Sequence, residues 1–278
     1  MATLVDIGRQ SLGSARLPSA VEATCRTALL RQGRLFSPLP IWSRLFLAWI
    51  EALEEPPYEP FFPAAVACEY MATGYDLLDA IYDHPFALSF PAHEHNLPAG
   101  VVLLLLAQEL IGHLNLPSDR CARAGAALAR GGRRALMEHV HDYSLRQMSA
   151  VSPDATLAVL RHRSGMLVAA VCQCAALLTG APQRTVVLAG RFGRALGCAA
   201  QLEDDLIDHD EDTLGGRVTL PVVLAQLYPN APELVDATTW VTMRSFLHEA
   251  ALTLTRLPLD ADRLEGLWML LPIGLRTA

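Results

Sequence analysis

Apolar residues recur three and four positions apart through most of the chain, the spacing that lines one face of a helix. This pattern predicts helices over 15–31, 38–54, 60–83, 99–115, 118–148, 153–179, 183–210, 217–228, 232–256 and 260–275. Proline and glycine punctuate the intervals, at Pro56-Pro57, Pro85, Pro91, Pro117, Pro153, Gly180 and Gly215-Gly216 among others. No stretch alternates with the period of two that a half-buried strand requires. The fold class expected is therefore all-α.

Several segments, such as Met166 to Leu178 and Thr185 to Ala200, are apolar on more than one face, as helices inside a large bundle are. No linker, repeat or low-complexity stretch interrupts the sequence. One domain spanning 1–278 is the simplest organisation, a bundle of about ten or more helices around a central apolar cavity.

Composition narrows the functions open to such a bundle. The 278 residues are 52% hydrophobic and 18% charged, which excludes disorder. The net charge of −7 offers no basic track for nucleic acid. All 22 basic residues are arginine and none is lysine, so Schiff-base chemistry is excluded and every fixed cation is a planar fork suited to phosphate or carboxylate. The six cysteines have no zinc-ligand spacing and read as core residues in a reducing compartment. The longest apolar run, Val101 to Ala107, is far short of the roughly 20 residues of a membrane span. With no secretory signal at Met1 onward, the expected location is the cytoplasm.

Two acidic clusters stand out against this background. In Gln201-Leu-Glu-Asp204-Asp205-Leu-Ile-Asp208, the spacing places Gln201, Asp204, Asp205 and Asp208 on one face of a helix. Carboxylates so arranged repel each other by a few tenths of a kcal/mol per exposed pair, and by more when buried. Oxygen-only ligands favour a hard cation, Mg²⁺ before Mn²⁺. The competing reading is a solvated helix end, which Asp at a C-terminus opposing the macrodipole argues against. The second cluster, Asp76-Leu-Leu-Asp79-Ala-Ile-Tyr-Asp83, holds three acids within an arc of about 60°. Taken together, the clusters suggest two carboxylate walls facing across an apolar pocket. That combination suits an apolar chain carrying a diphosphate, whose departure the cations assist.

These residues resemble the trans-isoprenyl diphosphate synthases, or polyprenyl synthases. Phe192-Gly-Arg-Ala-Leu-Gly197-Cys-Ala-Ala-Gln201-Leu-Glu-Asp204-Asp205-Leu-Ile-Asp208 is similar to the family's second aspartate-rich region. Thr219-Leu-Pro221 resembles its "GK.TLP" element, with Arg217 where a diphosphate-binding lysine is usual. Asp79 and Asp83 match the outer acids of the first motif, DDxxD, whose second acid is Ala80 here. Glu69 lies upstream as the family's glutamate does, and Arg163-Ser164 occupies its Lys-Thr pair. The resemblance implies the class I isoprenoid synthase fold, a homodimer, and Mg²⁺, on the order of two or three ions with Mn²⁺ as a substitute. It implies Asp79, Asp83, Asp204, Asp205 and Asp208 as metal ligands and Gln201 beside them in the catalytic set. Arg163, Ser164, Arg217 and Arg34 would contact the diphosphate. Tyr75 would floor a pocket for an allylic chain of about C10 to C20.

Departures gather on the side that would hold a second substrate, isopentenyl diphosphate. Only Gly33-Arg34 keeps a trace of "GGKxxRP", and the Arg-Arg pair expected after the first motif is missing from Pro85 to Pro98. An enzyme that ionises one allylic diphosphate and quenches the cation itself, as terpene synthases do, is the leading expectation. Condensation with isopentenyl diphosphate is the alternative, and a non-catalytic regulatory subunit a second. His93-Glu-His95 lies in a loop and His139-Val-His141 has rings pointing apart, so neither is expected to hold a metal.

Overall fold

The computed structural model describes residues 3–31, 33–38, 40–83, 94–148 and 150–272. Thirteen α-helices carry these residues: α1 Leu4–Ser14, α2 Ser19–Leu29, α3 Ile41–Leu53, α4 Phe62–Asp83, α5 Asn96–Gly112, α6 Ser118–Arg146, α7 Pro153–His162, α8 Ser164–Leu178, α9 Gln183–Ile207, α10 His209–Leu214, α11 Leu220–Leu227, α12 Pro232–Leu254 and α13 Ala261–Trp268. One 3₁₀ turn, Glu59–Phe61, precedes α4, and no strand occurs among the described residues. The all-α expectation therefore holds. His93 lies outside the described residues.

Two compact units divide the chain. The first comprises Met1–Ala129, Val171–Gln183 and Leu259–Leu267, and the second Arg130–Ala170, Arg184–Pro258 and Trp268–Ala278.

In the first unit, α4 is the axis. Ala64, Ala65, Val66, Ala67 and Cys68 are all buried, so this stretch of the helix has no solvent face. It meets α5 at Gly74 and Gly100, where a Cβ on either would lie 2.9 Å from the other's carbonyl oxygen. Backbone therefore touches backbone at this crossing, and no side chain is tolerated without displacement. α1, absent from the predicted set, begins at a capping box in which Asp6 N–H donates to Thr3 Oγ1 at 3.2 Å and Thr3 N–H to Asp6 Oδ2 at 3.0 Å. It docks by Gly8, whose carbonyl accepts from the Tyr70 hydroxyl of α4 at 2.7 Å.

Sequence periodicity merges two pairs of helices that the structure separates. The segment predicted over 153–179 breaks at Arg163, which adopts φ −85 and ψ −86. The apolar spacing runs through Arg163-Ser-Gly unchanged, but serine and glycine hold helices weakly. The segment over 183–210 breaks at Asp208, with φ −94 and ψ 10, where α10 begins. Carboxylates crowd the C-terminal end of α9, against its macrodipole, while aspartate is at home at a helix start. In the second unit α8 and α9 approach closely because Gly165 and Gly197 face one another's helix. A Cβ at Gly197 would lie 2.8 Å from Ser164 O, and one at Gly165 2.9 Å from Cys198 Sγ.

Candidate active site

That close approach brings the Arg163 break alongside the acidic end of α9. The Ser164 hydroxyl donates to Gln201 Oε1 at 2.8 Å, and Gln201 Nε2 donates to Asp205 Oδ1 at 3.0 Å. The amide is thus held at both ends, its carbonyl toward the serine and its amino group toward the acid. Asp205 is 7% exposed, and burial pushes its carboxyl up to about 7. The Gln201 bond opposes this rise, Asp212 adds to it, Arg163 opposes it and Asp204 adds to it.

Asp204 and Asp208 are exposed while Asp205 is buried, so the four residues predicted on one face do not share one environment. Asp208 ends the helix instead of continuing it, its N–H bonded to Asp204 O at 2.9 Å. Arg217 pairs with Asp212, Nη1 to Oδ1 at 3.1 Å, and its Nη2 lies 3.8 Å from Glu211 Oε1. Within the second unit, then, Arg163, Ser164, Gln201, Asp204, Asp205, Asp208 and Arg217 gather around the end of α9.

The first unit places the other predicted residues along α4 and the segment before α3. Asp79 is half-buried, and Tyr75 is buried one turn before it, its phenol pushed up to about 12 by burial and then by the Asp79 charge. The side chain of Asp83 lies outside the described residues. Arg34 forms an ion pair with Asp76 and stacks 6.0 Å from the Trp42 ring centroid. The cation expected on a diphosphate is therefore matched by a carboxylate of α4, which gives Asp76 a partner in place of a metal-ligand role.

Glu69, fully buried, has a different task from the acids that follow it. Pro40 starts α3 without a side-chain cap, and Glu69 Oε1 supplies one, accepting from Ser43 N–H at 2.7 Å and Ser43 Oγ at 3.0 Å. Burial pushes its carboxyl up to about 7, against the pull of the Ser43 bonds and of Arg34.

Among the described residues, no three His, Cys, Asp or Glu side chains group as they would around a metal ion. A cavity of about 350 Å³ at the α5–α6 corner, lined by Gln108, Ile111, Leu114, Leu116, Ser118 and Cys121 among others, contains none of the predicted site residues. No helix among the described residues is long and apolar enough to cross a membrane.

The chain resembles known proteins in sequence over part of its length and in fold over all of it. The polyprenyl synthetase family model matches residues 94–219. Heptaprenyl diphosphate synthase component 2 of Geobacillus stearothermophilus is 36% identical over 77 residues, 24% of each chain. (2E,6E)-farnesyl diphosphate synthase of Mycobacterium tuberculosis (strain ATCC 25618 / H37Rv) is 31% identical over 109 residues, 39% of this chain and 30% of the relative. The match thus spans a quarter to a third of these relatives' own length. The geranylgeranyl pyrophosphate synthetase from the archaeon Geoglobus acetivorans superposes with a TM-score of 0.79 at 19% identity, covering 100% of both chains. A polyprenyl synthase from Caulobacter crescentus CB15, complexed with calcium and isoprenyl diphosphate, gives 0.78 at 19% identity, covering 95% of this chain and 91% of that one. The fold is that of the class I isoprenoid synthases. Over residues 94–219 the sequence is similar to the polyprenyl synthetase family.

Proposed function

We propose that the protein is a prenyltransferase that takes an allylic prenyl diphosphate, releases diphosphate and joins the allylic chain to isopentenyl diphosphate, which loses a proton as the new bond forms. The observation that carries this reading is the buried Asp205, held by Gln201 and Ser164 beside Asp204 and Asp208 within the family-matched stretch. A carboxylate raised to about 7 by burial is short of positive charge, and an oxygen-only donor set suits a hard divalent cation. Asp204, Asp205 and Asp208 at the end of α9, and Asp79 and Asp83 on α4, are the carboxylates that would serve as Mg²⁺ ligands. When bound, the ion screens the diphosphate charge and stabilises it as a leaving group.

The chain's own residues would do the rest. Ser164 and Gln201 keep Asp205 oriented, and Arg163 and Arg217 present guanidinium donors to phosphate oxygens. Tyr75 bounds the apolar chain near Asp79 and thereby its length. The relatives' printed names, all diphosphate synthases or a component of one, favour condensation over the single-substrate expectation. We also propose a homodimer, for which the apolar, exposed stripe Leu97, Val101 and Leu105 along one face of α5 gives support.

One observation favours the single-substrate reading. The Arg34–Asp76 pair leaves the cation meant for a second diphosphate already matched. Measuring diphosphate release from geranyl, farnesyl and geranylgeranyl diphosphate, with and without isopentenyl diphosphate, decides between them. Product that requires both substrates is the expected result. Equal release without isopentenyl diphosphate establishes the single-substrate enzyme, and no release under either condition defeats both.

A further inference from the structure

We propose that Asp212 is a positioning residue: it holds the Arg217 guanidinium beside the acidic end of α9, and diphosphate binding by Arg217 depends on it. The inference rests on the proposed diphosphate chemistry and adds a residue that chemistry does not by itself call for. Asp212 is 2% exposed, one helical turn past Asp208, whose carbonyl accepts its N–H at 2.8 Å. A carboxylate that deep needs a matching charge, and Arg217 provides it at 3.1 Å. The contact is an ion pair without the alignment of a hydrogen bond.

The chain between them is closed as a small ring. The Arg217 N–H donates to the Asp212 carbonyl at 2.9 Å, and Gly216, at φ +65, supplies the left-handed residue that lets the turn reverse. Arg217 is thus tied to Asp212 twice, through its backbone and through its side chain. Glu211 lies at 3.8 Å but is largely exposed, so it adds little.

An arginine fork has five N–H donors, and one carboxylate contact leaves others for a phosphate oxygen. A lysine also has three donors, but on a single nitrogen, without the separate edges of the fork.

A double-mutant cycle on the full-length protein tests this, using Asp212→Asn, Arg217→Gln and both together. Calorimetry reads Mg²⁺-dependent binding of inorganic pyrophosphate, and steady-state kinetics reads KM and kcat for the allylic diphosphate. Either single change is expected to weaken pyrophosphate binding about tenfold and to raise KM more than it lowers kcat, with the double variant no weaker than Arg217→Gln alone. Asp212→Glu, which keeps the charge on a longer arm, is expected to lose about two- to fivefold, and to lose nothing further in the Arg217→Gln background. That pair carries the cycle if Asp212→Asn does not fold. Wild-type pyrophosphate binding in Asp212→Asn, or losses that multiply in the double variant, overturns the positioning role alone. A wild-type protein that binds no pyrophosphate with Mg²⁺ overturns it together with the proposed function.

Discussion

Glu69 shows what burial does to a single carboxyl. Folded, it titrates near 7, against about 4.3 in an unfolded chain. The folded protein therefore holds this proton more tightly, and the stability Glu69 contributes at acid pH is lost as pH rises from about 4 to about 7. Glu69→Gln keeps an acceptor for Ser43 and removes the titration. Urea unfolding at pH 5 and pH 8 should show the wild-type stability falling by on the order of 2 kcal/mol more than that of the variant. Parallel pH curves would contradict it. Glu69→Ala should cost about 1–2 kcal/mol at pH 5, because the first N–H groups of α3 lose their acceptor, and less at pH 8, where the wild type has already lost the stability tied to its proton. That acceptor role was not legible in the sequence, where Glu69 was notable only for its distance from Asp79. The structure had to supply Ser43, 26 positions away.

Among the helices, legibility followed periodicity. α3, α4, α6 and α12 fall close to their predicted spans, since a sustained apolar stripe is written locally. α1 was missed because its signal is a cap, Thr3 with Asp6, and its apolar stripe is short. The breaks at Arg163 and Asp208 were missed because the apolar spacing passes through both. It is these breaks that place Ser164 against Gln201 and free Asp208 from the helix face. The Gly165–Gly197 approach was also unreadable, since a glycine's purpose depends on a partner helix. Gly197→Ala would drive a methyl to within 2.8 Å of Ser164 O and 2.7 Å of Val168 Cγ2. We expect a loss of about 1–3 kcal/mol by chemical denaturation, with pyrophosphate binding weakened as Ser164 shifts from Gln201. Undiminished stability and binding would show that α8 and α9 can separate at no cost.

For the molecule as a whole, the family match ends at residue 219 whereas the fold match extends over the full chain. The matched stretch contains Gln201, Asp204, Asp205 and Asp208 and leaves out the α4 acids. The surrounding helices need only to be apolar and of suitable length. If the acids at the end of α9 hold Mg²⁺ and, through it, diphosphate, Mg²⁺ and inorganic pyrophosphate together should raise the melting temperature more than the sum of their separate effects. At one hundred times Kd the gain is about 2.7 kcal/mol. Asp205→Asn should abolish it, and a purely additive response would argue against a shared site.

The glycine pair at the α4–α5 crossing bears on how such an enzyme diverges. In the family it resembles, the residues one turn ahead of the first acid motif act as a ruler for the hydrocarbon tail. Here one of those two positions, Gly74, lies against the carbonyl of Gly100, so no larger side chain fits without prying two helices apart. Of these two neighbouring positions, Tyr75 alone can change size without parting α4 from α5.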